Sequence, residues 1–346
     1  MEDALRQITN SPFACLLCVY TFLTQVALIT ARRLLLPHLL TYQTYRTQLF
    51  RAYLIATFAL PTLPNIASES EAKLIEEKGK WSGFIIPGTR ELTEFAGKSS
   101  SGRRVVVLYA HGGGYSFGDA RQYLSYMRRW VECAKASGID LVFLSVEYPL
   151  SGEAPHPAQL SSFTAAYQYL LGIGVSSSNV VFMGDSAGGG LCTITALSLL
   201  QSPTNTPQPS ACILISAWLD LSGQIYDYEG GNALIETDFV DANLLVPMLS
   251  AMFIGKNDPK HPSVNPLLHK PEDLRGLCPQ LLLVGAGEFA LQDSRTWNLL
   301  CREAGVEVEM VAERGQPHIY AMGSKWLEPA VRKKTETKIV QWLARG

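Results

Sequence analysis

The chain carries no long run of one charge. Its 29 lysines and arginines are scattered among 31 acidic residues, for a net charge of −2. Without a basic stripe there is nothing to follow a phosphate backbone, so nucleic acid is not an expected partner. Paired cysteines are missing as well. The seven cysteines are an odd number, and only Cys15 and Cys18 lie close together, inside an apolar run. That pattern makes neither a disulfide framework nor a CxxC…CxxC zinc site, and no metal is expected. No G-K-[ST] follows the glycine run at residues 112–114, which argues against a phosphate-binding loop.

What the chain does have is apolar bulk, with 47% hydrophobic residues over a length of 346. That is enough for one large core, and α/β chains of this length are commonly a single domain with insertions. Strand-like runs near 105–110, 141–147, 180–184, 211–216, 280–285 and 306–311 alternate with helical stretches near 121–136, 158–172, 187–201, 293–304 and 327–344. The alternation predicts an α/β fold with a mainly parallel sheet covered on both faces. Residues 222–266 break the rhythm and turn helical around Asp241 to Phe253, as expected of a cap inserted over a site.

Two motifs sit at strand ends. Gly184-Asp185-Ser186-Ala187-Gly188-Gly189 follows the run Asn179 to Met183 and precedes a helical stretch. A serine on so sharp a strand-to-helix turn needs small residues two before and two after it, and Gly184 and Gly188 meet that need; this is the form of a nucleophile elbow. The second motif, His111-Gly112-Gly113-Gly114, follows Arg104 to Ala110. Three glycines weaken regular structure, so their place at a strand end marks backbone N–H groups that approach something closely. In acyl transfer that something is an oxyanion, and each well-aimed donor lowers the barrier by about 3 kcal/mol. The N–H groups of Gly113, Gly114 and Ala187 are the expected donors, with Gly112 as a substitute for one of them.

These motifs together resemble the hormone-sensitive lipase family of α/β-hydrolases, esterases marked by an H-G-G-G loop and a G-D-S-A-G-G elbow. Val146-Glu147-Tyr148-Pro149-Leu150 with Glu153, Pro157 and Ala158 is similar to a further family segment, from which Pro149 and Ser151 depart. Ser216-Ala217-Trp218-Leu219-Asp220 resembles the family's S-P-W-x-D with alanine in place of proline. The likeness spans roughly residues 80 to 344. It implies an α/β-hydrolase fold with a helical cap, a serine nucleophile and no cofactor.

A serine hydroxyl needs a base, usually a histidine held by a carboxylate. Of six histidines, His111 belongs to the glycine loop, His38 to the apolar N-terminal region, and His156, His261 and His269 to proline-bearing loops. His318 follows the last strand-like run, where the family's chain order Ser, acid, His puts the base. For the acid, the family pattern D-P-L-x-D-E is not kept. Aligning Leu291 and Asp293 puts Phe289 at the acid position, and a shift of one residue puts Glu288 there. Its place after the strand favours Glu288. Asp293, which precedes a predicted helix and is expected to cap it, is the alternative.

The N-terminus carries a further signal. From Ser11 to Ala31 there are 21 residues without a charge, followed by Arg32 and Arg33. That length suits a bilayer span, and a surface-lying cap helix is the competing reading. A cleaved signal peptide fits less well, because the basic residues follow the apolar stretch. Arg32, Arg33, Arg46 and Arg51 against Glu2 and Asp3 favour a cytosolic catalytic domain. The layout is similar to fungal steryl-acetyl-hydrolase-like esterases, which implies residues 1–78 as anchor and cap helices, residues 79–346 as hydrolase, and an endoplasmic-reticulum membrane. The expected reaction is hydrolysis, through an acyl-enzyme, of an ester of a hydrophobic alcohol such as a sterol or secondary metabolite, acetyl esters included. Acyl transfer or condensation on the same site is an alternative. A non-catalytic ligand receptor on this fold is another, disfavoured because His318 is present. Tyr115, Phe117, Trp218 and Tyr320 are candidate pocket residues, and oligomeric state is not legible.

Overall fold

Ahead of the glycine loop, β1 (Lys73–Glu77) and β2 (Trp81–Ile86) form an antiparallel hairpin that opens the sheet. The computed structural model describes residues 12–36, 43–57, 67–97, 102–202, 205–222, 238–240 and 245–345. The sheet has eight strands in the order β1-β2-β4-β3-β5-β6-β7-β8, where β3 is Arg103–Ala110, β4 Ile139–Glu147, β5 Val180–Asp185, β6 Ala211–Ile215, β7 Gln280–Gly285 and β8 Val308–Glu313. From β4 to β8 every pairing is parallel, while β2 joins β4 antiparallel. The expected α/β-hydrolase architecture is present. The boundary expected between residues 78 and 79 falls inside the β1–β2 turn, however, because Lys73–Glu77 is hydrogen-bonded into the sheet.

Period-two alternation divides the core. Val105, Val107 and Tyr109 of β3 face a layer that includes Met127 and Trp130 of α3 (Leu124–Ala136) and Ile339 and Trp342 of α8 (Pro329–Leu343). Val106, Leu108 and Ala110 face the opposite layer, which holds Phe163 and Tyr167 of α4 (Ala158–Gly172), Leu191 of α5 (Ala187–Gln201) and Trp297 of α7 (Leu291–Glu303). Each fully buried side chain of this size contributes about 1.5–3 kcal/mol. Burial on both faces accounts for the continuous apolar runs of the central strands.

The N-terminal part is built differently. Helix α1 (Pro12–Leu35) is long and apolar enough to cross a membrane, and only 6% of its apolar window is buried. It packs on α2 (Tyr45–Thr57), and Arg33 fastens the two by donating through Nε to Gln48 Oε1 and through Nη2 to the carbonyl oxygen of Gln43, both at 2.6 Å. Of the expected cap insertion, residues 222, 238–240 and 245–266 are described, the last including α6 (Leu245–Ile254). Residues 223–237 and 241–244, which include the start of the helix expected at Asp241, lie outside the described residues.

Candidate active site

The elbow is as tight as its glycines require. Ser186 stands between β5 and α5 at φ +52°, a conformation that costs a non-glycine residue about 1–3 kcal/mol. The turn is held by the Ser186 N–H donating to the carbonyl of Ile215 at 2.8 Å and by the Trp218 N–H donating to the carbonyl of Ser186 at 3.0 Å. A side chain on Gly188 would run into the carbonyl of Ala110. Ala187 opens α5, where first-turn N–H groups lack intrahelical acceptors and the helix dipole favours negative charge.

The glycine loop is fastened to the elbow by a residue that carried no expected role. Asp185, fully buried, accepts hydrogen bonds on Oδ1 from the hydroxyl of Tyr109 at 2.7 Å and from the N–H of Gly112 at 2.9 Å, and on Oδ2 from the hydroxyl of Tyr123 at 2.8 Å. Burial pushes its carboxyl up to about 6 despite these donors. Gly112 is therefore not a free oxyanion donor, since its N–H is spent on Asp185. Gly113 and Gly114, at φ +114° and +60°, line the cavity with Ser186. His111 is buried and stacked on Tyr148 at 4.2 Å, and burial pushes its imidazole down to about 4, so it packs as a neutral ring.

His318, from the loop after β8, brings Nε2 to 2.9 Å from Ser186 Oγ. Its Nδ1 faces Glu288 Oε1 at 3.5 Å, too open for a hydrogen bond, and neither atom has another hydrogen-bond partner among the described residues. The other carboxylate oxygen of Glu288 is held firmly: Oε2 accepts from the Ser216 hydroxyl at 2.7 Å and from the Gly285 N–H at 3.0 Å. Ser216 Oγ in turn accepts the N–H of Ile319 at 2.9 Å, so one hydroxyl ties the acid loop to the histidine loop. Burial raises the Glu288 carboxyl well above its ordinary range, opposed by those two donors. Burial also lowers the His318 imidazole, opposed by the charges of Asp238 and Asp185.

Asp293 lies elsewhere. It sits within the first turn of α7, and its Oδ2 accepts the N–H groups of Leu219 at 2.8 Å and Asp220 at 2.9 Å. The expected capping role gives way to this one, because α7 begins two residues earlier, at Leu291, and points the carboxylate across at the 219–220 loop. His156, His261 and His269 are likewise not among the residues around Ser186.

Above Ser186 lies a mainly apolar cavity of about 600 Å³, within the range of small-molecule sites. Phe117 and Trp218 line it as expected. Tyr115 is buried instead against Phe253, with ring centroids 3.7 Å apart, and Tyr320 borders a smaller cavity of about 240 Å³ behind the histidine loop. Leu245, Val246 and Leu249 of α6 line the larger cavity from within the stretch expected as a cap, while Leu54 and Thr57 of α2 are walls not singled out in the sequence. Asp238, also unforeseen, accepts the N–H of His318 on Oδ1 at 3.0 Å. An acid beside a bulky aromatic, Asp238-Phe239, was the only sequence signal for it.

A strained serine at a strand–helix turn, with a histidine on its hydroxyl and a glycine loop beside it, defines the class as an α/β-hydrolase. Residues 107–322 match the model of the α/β hydrolase fold family, and the chain belongs to that family, within its hormone-sensitive-lipase group. It is 32% identical over 204 residues to an acetyl-hydrolase of Streptomyces hygroscopicus, covering 59% of this chain and 64% of that protein. It is 28% identical over 236 residues to an esterase of Acinetobacter venetianus, covering 67% of this chain and 73% of that protein. Among solved structures, the hormone-sensitive-lipase homologue EstE7 from a metagenome library superposes with a TM-score of 0.66 at 27% identity, over 85% of this chain and 91% of that one. The chain thus spans just under two thirds of the length of the Streptomyces relative.

Proposed function

We propose that this protein is a serine carboxylester hydrolase that removes a small acyl group, acetyl above all, from a hydrophobic alcohol of the sterol or secondary-metabolite kind. The observation that carries the reading is the 2.9 Å contact between His318 Nε2 and Ser186 Oγ at the base of the apolar cavity. Ser186 attacks the ester carbonyl as His318 takes its proton. Glu288 holds the imidazole tautomer and stabilises its positive charge once the 3.5 Å gap to Nδ1 closes. The N–H groups of Gly113, Gly114 and Ala187 receive the oxyanion. His318 then protonates the departing alcohol, and water repeats the steps on the acyl-enzyme.

The relatives named as acetyl-hydrolase and esterase support the acyl chemistry, and the apolar walls support the alcohol. We read α1 as a membrane anchor, supported by its exposed Phe13, Leu16, Val19, Tyr20 and Leu23 and by Arg32 and Arg33 at its end. On that reading the anchor and cap helices come first, the hydrolase domain starts ahead of Lys73, the cap occupies about 222–266, and the domain faces the cytosol from the endoplasmic reticulum.

Turnover of p-nitrophenyl acetate by the wild type and by Ser186→Ala is the direct test. Ser186→Ala is expected to lose at least about 10⁴-fold. Equal turnover by the two proteins rejects the reading, and comparing the products each forms from a lipid extract identifies the alcohol.

A further inference from the structure

A second buried carboxylate stands beside the imidazole. Asp238 is 3% exposed, and it reaches the site from a segment that belongs to neither the Glu288 loop nor the His318 loop. Its Oδ1 accepts the backbone N–H of His318 and its Oδ2 accepts that of Phe289, the residue after Glu288, both at 3.0 Å. One side chain thus bridges the two loops that carry the proposed base and acid. The ring of Phe239, the next residue, lies 5.9 Å from that of His318, and the ring of Phe289 lies 4.8 Å from it. From above, Arg51 of α2 donates through Nη1 to the carbonyl oxygen of Asp238 at 3.2 Å.

We propose that Asp238 is a positioning residue for His318: it sets the distance between the imidazole and Glu288, and its negative charge favours the imidazolium formed during the reaction. The gap it governs is the critical one. His318 Nδ1 and Glu288 Oε1 stand 3.5 Å apart, so a displacement of a few tenths of an ångström in either loop makes or breaks their hydrogen bond. Ser216 ties the same two loops at the sheet, through Glu288 Oε2 and the Ile319 N–H, and Asp238 ties them from the cavity side. The ties are not equivalent, because Ser216 is a neutral hydroxyl and only Asp238 brings a charge.

The charged groups around Asp238 are His318 and Glu288 on the two loops and Arg51 on α2, and Asp185 also acts on His318. Burial holds the Asp238 carboxyl up at about 6, with His318 opposing that rise and Glu288 adding to it. Above that pH the ionised carboxylate stabilises imidazolium. Removing its charge therefore lowers the imidazole pKa.

The proposal rests on the Ser186–His318 hydrolase reading for its kinetic part only. The experiment compares full-length wild type, Asp238→Asn and Asp238→Ala in detergent, following ester turnover against pH and the His318 imidazole titration by NMR. For Asp238→Asn we expect kcat to fall about 10- to 100-fold with KM within about threefold. The imidazole pKa is expected to fall by about one unit. An imidazole titration identical to wild type overturns the proposal, whether or not kcat falls, because a purely structural bond leaves that titration in place. If Asp238→Ala does not fold, Asp238→Asn, which has nearly the same shape, decides alone. If the wild type hydrolyses no ester yet the imidazole pKa shifts as expected, the hydrolase reading fails and the role of Asp238 stands.

Discussion

The floor and the roof of the cavity over Ser186 are specified by different physics. The floor is made of strand ends: the elbow after β5, the glycine loop after β3, Ser216 after β6, and the loops after β7 and β8. There the backbone dictates the residue, as where a side chain on Gly188 would strike Ala110 and where Gly113 and Gly114 adopt positive φ. The roof comes from α2, α6 and Phe239, and its requirement is apolar volume, which many side chains can meet. A floor built this way leaves little freedom in which residues can occupy it. A roof built this way sets, on the proposed function, which esters fit, and it can change without disturbing the floor.

The two acidic residues near the end of β7 test how sharply the floor is specified. Glu288→Ala removes the group facing His318 Nδ1 and is expected to lower the kcat of the folded fraction about 10³- to 10⁴-fold, with a stability loss of about 1–3 kcal/mol from the unmet Ser216 hydroxyl and Gly285 N–H. Asp293→Ala leaves the N–H groups of Leu219 and Asp220 without their carboxylate, so about 2–4 kcal/mol of stability is expected to go while the folded fraction keeps its kcat. Steady-state kinetics beside thermal melts of both variants separate the roles. The reverse pattern makes Asp293 the acid and breaks the assignment.

Legibility in the sequence follows the same division. The elbow, the glycine loop and the central strands could be read because backbone constraints leave few residue choices. The acid could be read only as a pair of alternatives, because Phe289 occupies the position where the family's spacing puts it. Gly112 reads as a substitute donor because nothing in the motif says that Asp185 takes its N–H. The β1–β2 hairpin is not legible because β1 is an edge strand whose burial alternates while its residues do not: Leu74 is 56% exposed and adjoins Ile75. Asp238 is signalled only by the aromatic beside it and Leu54, a leucine on a helix, by nothing local; only the fold brings them to the site.

On the roof, Leu54→Ala enlarges the cavity wall without touching the reacting groups. KM for an ester with a bulky alcohol is expected to rise about three- to tenfold, with kcat within twofold and p-nitrophenyl acetate unaffected. A fall in kcat for both substrates would mean that α2 supports the floor as well, and the two regions would no longer be separable.

The smallest effect is the one that couples them. His318 must be neutral to accept the Ser186 proton, and burial lowers its pKa below the ordinary 6.5, so turnover is expected to hold at neutral pH and to fall off along an acid limb centred below 6.5. Part of that burial comes from the roof, because the ring of Phe239 lies 5.9 Å from the imidazole. Phe239→Ala admits water, makes imidazolium less costly and moves the limb upward by about half a unit. Asp238→Asn is expected to move it the other way, since that variant removes a charge and leaves the phenyl ring in place. Opposite shifts from neighbouring residues in pH profiles of kcat/KM distinguish desolvation by the roof from its electrostatic support. Shifts of the same sign would mean that loss of packing, common to both variants, controls the imidazole.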